Sequence, residues 1–240
     1  MKMNTILGLF GTVLILCSCN FIKVDGKALA DAFEKTENAT YVKKAVVASK
    51  NYVDKEYSVA EFNAVECSGN YDVDYTDGEP FVSISAPDNI IDHLIVKVEN
   101  GTLKIKTDGT NFRKVNNITA TISTKELNEL KISGAGDFDA KKGMVTKDFN
   151  VSISGAGDLD INGLVAKHVK IKVSGAGDID IDKLDCKDIT VSVSGAGDVT
   201  LAGKANSADL KISGAGDIDV TELETENLER SISGVGRIKK

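Results

Sequence analysis

The sequence contains no tryptophan, and aromatic residues make up only 5% of its 240 positions. Flat aromatic faces are the usual stacking platform for sugars, so a deep aromatic sugar pocket is not expected. Arginine occurs only at Arg113, Arg230 and Arg237, and the net charge is -7. That balance excludes the clustered basic face that nucleic acid requires. The two histidines, His93 and His168, stand in unrelated contexts and form no metal-ligand or base pattern. Proline occurs twice against 22 glycines, so tight turns must be made by glycine. There is no apolar run of the roughly 20 residues that a membrane-crossing helix needs.

What the chain does have is one phrase repeated. Ser133-Gly-Ala-Gly-Asp137 recurs from Ser154, Ser174, Ser194 and Ser213, and a degraded copy, Ser233-Gly-Val-Gly-Arg237, closes the series. The starts are separated by 21, 20, 20, 19 and 20 residues. So regular a period implies stacked units, each burying its apolar side against its neighbours. In Val169-Lys-Ile-Lys-Val173 the apolar residues alternate with lysine, which is the pattern of a half-buried strand. Gly175-Ala-Gly177 interrupts that strand where positive φ or a close backbone approach is needed. Ile179 and Ile181 then point one way and Asp178, Asp180 and Asp182 the other, while Leu184 and Cys186 supply a third, shorter apolar side. Two or three strands per 20 residues make one turn of a parallel solenoid. The expected fold is therefore all-β: a right-handed parallel β-helix with a small, irregular β-rich N-terminal cap. A β-propeller blade needs about 40 residues per repeat, twice what is available.

The stacked copies predict straight columns. Ile132, Ile153, Val173, Val193, Ile212 and Ile232 precede the phrase, and Phe138, Leu159, Ile179, Val199 and Ile218 follow it. The corner glycines are Gly134 and Gly136, Gly155 and Gly157, Gly175 and Gly177, Gly195 and Gly197, and Gly214 and Gly216. With the degraded copy at Gly234 and Gly236 the corner occurs six times, which marks these glycines as geometry and not as phosphate loops, since no Lys-Ser/Thr follows and no helix begins there.

Residues 1–19 read as an export leader: Lys2, an apolar run from Ile6 to Leu16, and then Leu16-Cys-Ser-Cys19. The ending resembles a bacterial lipobox with Cys19 as the acylated residue, which would anchor the mature protein in a membrane without spanning it. Residues 20–55 are polar and alanine-rich, with a weak helical pattern from Lys27 to Lys35, and are expected as a tether. Residues 56–128 are expected as the β cap and a first irregular coil, and 129–240 as the repeat β-helix. Within the cap, Cys67 to Tyr75 echoes the repeat phrase. Phe81 to Ser85 and Ile118 to Ile122 read as strands, and Asn100-Gly101 reads as a two-residue hairpin turn. Cys67 and Cys186 fall on different sides of different coils, so both are expected as buried, unpaired thiols.

The chain resembles the auto-transporter adhesin head GIN domain family. The resemblance is carried by Phe62-Asn-Ala-Val-Glu-Cys-Ser-Gly-Asn-Tyr-Asp-Val-Asp-Tyr75, Asn100-Gly-Thr-Leu-Lys-Ile105 and the repeated coils, over roughly residues 56–240. It implies an exported right-handed β-helix, mainly from Bacteroidetes, with no established catalytic residues to carry over. The adhesin name rests on architecture, and this chain carries no autotransporter barrel. Asn20-Phe-Ile-Lys-Val24 lacks the acidic run that marks surface export in lipoproteins of that phylum, which favours the periplasmic side of the outer membrane without settling the face.

The one candidate for chemistry is an acidic ladder. Asp137, Asp158, Asp178, Asp198 and Asp217 form one column; Asp139, Asp160, Asp180 and Asp219 form a second, broken by Thr200. Like charges about 5 Å apart in water repel by roughly 0.8 kcal/mol per pair. Either calcium relieves this, or each Asp caps the backbone of its own glycine corner while Lys131, Lys172 and Lys211 offset the charge. Arg237 stands in the first column and would end it. The favoured function is a non-enzymatic envelope lipoprotein with an adhesin-like β-helix for binding or scaffolding, its partner an extended glycan or an envelope protein, with no cofactor. The alternatives are a calcium-dependent polysaccharide lyase, which would need a singular cleft gathering Asp, Lys and Arg, and a purely structural envelope protein.

Overall fold

The structure is a computed structural model in which residues 45–240 are described. The leader, Cys19 and the pattern from Lys27 to Lys35 lie outside the described residues. Residues 45–240 form one compact unit of stacked strands with a single short 3-10 turn, Ile91–His93.

Each coil has three faces. The first carries Glu129–Ile132, Asp148–Ile153 and the matching segments above them, all parallel and in register. The register sets Ile132 beside Ile153, then Val173, Val193, Ile212 and Ile232, which is the column that the repeat predicts. The second face stacks Phe138–Ala140, Leu159–Ile161 and their counterparts, with Phe138, Leu159, Ile179, Val199 and Ile218 inward. The third is shorter and begins at Met144–Val145, under Leu164, Leu184, Gly203 and Leu223. In the middle coils the strand runs unbroken around the corner between the third face and the first, as in Ile179–Val193. Inward residues of all three faces meet in one apolar core; Phe138, Phe149, Ile153 and Leu159 are essentially without exposure. No coil could bury these side chains alone, at about 1.5–3 kcal/mol for each, so the stack is the folding unit.

The variation in repeat length falls at one place. The 21-residue unit carries its extra residue between Ala140 and Met144, where Gly143 takes φ +74°. The 19-residue unit loses one between Leu201 and Gly203, where the register shifts and Gly203 takes φ +127°. The corner between the second and third faces therefore absorbs the slack, and the other two corners keep their length.

The coil Ala64–Ser68 with Asp72–Asp77 continues the stack below Glu129–Ile132, in full register. A further coil, Thr102–Thr107 with Thr119–Thr124, lies beneath that one. The chain thus enters the coils inside the stack at Ala64, runs outward to make its lowest coil, and returns to the other side at Glu129. Antiparallel strands close the low end. Leu94–Glu99 pairs with Thr102–Thr107, and Phe81–Pro87 pairs with Thr119–Thr124, so that edge amides find partners. The hairpin turn is where the sequence puts it, with Asn100 at φ 51° and Gly101 at φ 76°. Tyr52–Tyr57 pairs antiparallel with Phe81–Pro87, so part of the stretch expected as tether is an edge strand. Cys67 and Cys186 are free and buried, on the first and third faces, and burial pushes both thiols up to about 12.

Candidate functional site

The repeated corner is built from the backbone outward. Ala156, Ala176, Ala196 and Ala215 each donate their N–H to the first corner glycine of the coil below, at 2.8–2.9 Å. This draws the corner backbones so close that a Cβ on Gly155 would fall inside the carbonyl oxygen of Gly134; the same holds for Gly175 over Gly155 and Gly195 over Gly175. None of these glycines has positive φ. Close approach, not a left-handed conformation, is therefore why the phrase needs glycine. The flanking serines donate their hydroxyls across coils, as Ser174 does to the carbonyl of Ile153 at 3.3 Å.

The aspartate that ends the phrase has a specific task. The backbone N–H of Asp158 donates to the carboxylate of Asp137 at 3.1 Å, Asp178 to Asp158 at 2.8 Å, Asp198 to Asp178 at 2.8 Å and Asp217 to Asp198 at 2.7 Å. Each carboxylate thus caps the amide of the next coil, where its own corner was expected. The main-chain ladder leaves this amide without a carbonyl, and an unpaired amide here would be costly. Arg237 ends the row twice over. Its N–H donates to Asp217 Oδ1 at 2.8 Å and its guanidinium to Oδ2 at 3.0 Å, and together they hold the Asp217 carboxyl below its ordinary range.

The second row runs Asp74, Asp139, Asp160, Asp180, Thr200, Asp219, Lys239. Cations sit at its ends: Lys141 lies 3.2 Å from Asp139 and 3.9 Å from Asp74, and Lys239 lies 3.5 Å from Asp219. In the middle, partial burial raises the Asp160 carboxyl, and Asp139 and Asp180 raise it further. Lys131 and Lys211 do not reach either aspartate row. They pair along their own strands, with Glu129 and Asp209 respectively, each at 2.6 Å. The expectation that these lysines offset the aspartate columns is corrected: amides and the terminal cations do so.

Reasoning from sequence missed two His–Asp pairs. His168 Nδ1 lies 3.0 Å from Asp188 on the next rung, and His93 Nδ1 lies 3.0 Å from Asp108, whose carboxyl is held well below the ordinary range. Aligning the repeats reveals the first, because His168 and Asp188 share a column. A shallow trough on the third face is lined by Thr146, Val165, Lys167, Asp185 and Cys186. Among the described residues no three His, Cys, Asp or Glu side chains converge as a metal site, and no helix is long and apolar enough to cross a membrane.

These features define a parallel β-solenoid whose outward side chains form straight polar rows. The family described as putative auto-transporter adhesin, head GIN domain, matches residues 61–182 and 161–239, and the chain belongs to it. Solved structures share the fold. A putative adhesin from Bacteroides fragilis is 24% identical with a TM-score of 0.69, over 81% of this chain and 99% of that one. A putative lipid binding protein from Parabacteroides distasonis is 19% identical with a TM-score of 0.66, over 82% and 99%. A putative adhesin from Parabacteroides merdae is 17% identical with a TM-score of 0.56, over 81% and 98%. No curated protein matches the chain.

Proposed function

We propose that this chain is an exported envelope lipoprotein, anchored through Cys19 in the outer membrane, whose adhesin-like solenoid binds an extended partner without catalysing a reaction. The observation that carries this reading is the register itself. Successive coils place equivalent residues in straight rows along the stack, which suits a long, repetitive ligand and not a compact substrate. The corner carboxylates are already committed to backbone amides, so the first aspartate row acts as a set of caps, and calcium is not needed to hold it. The arginines a lyase would use are not gathered: Arg113 lies in the strand Phe112–Arg113, and Arg230 and Arg237 lie in the last coil.

The test is made in cells. The full chain is expected to take up a palmitate label and fractionate with the outer membrane, and Cys19→Ser is expected to lose both. Cells carrying the chain are expected to retain a glycan or envelope-protein layer that deletion cells release. Equal retention by both would favour a purely structural role.

A further inference from the structure

The two ends of the stack are unlike. The low end is closed by antiparallel strands, Leu94–Glu99 and Phe81–Pro87. At the other end, among the described residues, the rung made by Leu223–Ile232 and Ile238–Lys239 pairs only with the rung below it. A ten-residue strand there offers its outer edge to no neighbouring strand. The core runs out to this edge. Ile232 is 48% exposed, whereas Ile132, Ile153, Val173, Val193 and Ile212 in its column are buried. Leu228 and Ile238 are only partly buried, and Arg230 stands in the inward column of Ile171, Val191 and Leu210. Among the described residues Glu226, Glu229 and Arg230 have no ion-pair partner. The remaining charges at this end are divided by face. On the second face and its corner the rows end in cations over anions, Lys239 over Asp219 at 3.5 Å and Arg237 over Asp217 at 3.0 Å. On the third face the order is reversed, with Glu224 over Lys204 at 3.2 Å.

We propose that this end is a docking surface for a second copy of the chain, joined end to end about a two-fold axis. Such an axis runs the facing strands antiparallel, and it lays one face on itself while the other two exchange. The charges select which face is shared. Second face on second face would set Lys239 on Lys239, and third on third would set Glu224 on Glu224. First face on first sets Lys239 of one copy over Glu224 of the other, so that Asp219, Lys239, Glu224 and Lys204 alternate in sign across the junction. Along the first face, pairing about Leu228 places Arg230 of each copy opposite Glu226 of the other and Leu228 opposite itself. Pairing about Glu229 or Arg230 would instead set like charges together, which destabilises a sheet. Because the low end is closed, the pair is complete at two copies and does not extend into a fibre.

The experiment measures the mass of the detergent-purified full chain by sedimentation over a range of micromolar concentrations, corrected for bound detergent. Two copies per particle are expected. Arg230→Glu and Glu226→Arg should each raise the dissociation constant roughly tenfold, and the double variant, which restores the opposite pairing, should recover the parent value. Lys170→Glu, three rungs below the end on the same face, should pair as the parent does. Mild oxidation supplies a second readout. Paired Cα atoms in antiparallel strands lie about 4.5–5.5 Å apart, within reach of a disulfide, so Leu228→Cys should cross-link two copies and Asn150→Cys should not. Circular dichroism spectra check that each variant is folded, and the cross-link decides the matter should a charge reversal fail to fold. A parent that stays single at every concentration would overturn the proposal. So would a pair untouched by either reversal, a double variant that does not recover, or cross-linking at Asn150→Cys equal to that at Leu228→Cys.

Discussion

The carboxylate of Asp178 accepts a hydrogen bond from the backbone N–H of Asp198, 2.8 Å away in the next coil. The bond joins two rungs, so its loss should be felt across the boundary and not within one corner. Asp178→Ala is expected to destabilise the stack by about 1–2 kcal/mol, and Asp178→Asn, which keeps an acceptor oxygen, by less than half of that. Hydrogen exchange at the Asp198 amide checks the location: it should accelerate in the alanine variant and remain slow in the asparagine variant.

The apolar columns could be read from the sequence because a solenoid converts a period along the chain into register in space. Ile153 and Val173 are 20 residues apart and neighbours in the sheet. The partner of the corner aspartate could not be read. Capping one's own turn and capping the next coil's amide demand the same residue at the same place. The lysine partners follow a different period: Lys131 and Glu129 share a face two residues apart along one strand, a pairing that the 20-residue columns do not carry. The outward excursion to the lowest coil had no signal either, since residues 102–124 carry no copy of the phrase. Tyr52–Tyr57 escaped notice because an edge strand exposes most of its residues and shows little apolar alternation.

The glycines of the phrase differ sharply from those elsewhere. A Cβ on Gly175 would occupy the carbonyl oxygen of Gly155, and both atoms belong to hydrogen-bonded backbone. Gly175→Ala is therefore expected to cost at least about 3 kcal/mol, or to prevent folding. At Gly163 the nearest atoms to a new Cβ lie at 3.8 Å, and φ is not positive, so Gly163→Ala should be neutral or slightly stabilising. Denaturant midpoints of the two variants separate close packing from chain flexibility as the reason for glycine.

Natural length variation at the corner between the second and third faces predicts where the fold accepts insertions. One added glycine between Asp182 and Lys183 should leave the circular dichroism spectrum and the unfolding midpoint almost unchanged. The coil above is one residue shorter there, and the coil two rungs below is one residue longer. One added glycine between Lys170 and Ile171 would turn Val169 or Ile171 outward and put a lysine in the core. That variant should be recovered insoluble or unfolded.

The second aspartate row predicts opposite pH responses at its middle and its end. Partial burial, with Asp139 and Asp180 alongside, raises the Asp160 carboxyl, so the fold disfavours its ionised form. The favourable contribution of Asp160 is complete below its ordinary value of 3.8 and is lost as pH rises through the raised one. Asp160→Asn should accordingly stabilise the protein at pH 7, by about 0.5 kcal/mol or less because solvent screens the row, and the gain should vanish at pH 3. Asp219 behaves the other way. The Thr221 hydroxyl, the Thr221 amide and then Lys239 lower its carboxyl, so its contribution is present above 3.8 and is lost as pH falls through the lowered value. Asp219→Asn should destabilise the protein at pH 7, with the difference shrinking in acid. Denaturant midpoints of both variants measured from pH 3 to pH 7 should therefore diverge from the parent in opposite directions as the pH rises. Two curves bending the same way would mean that the row titrates as one unit and that its terminal cations do not divide it.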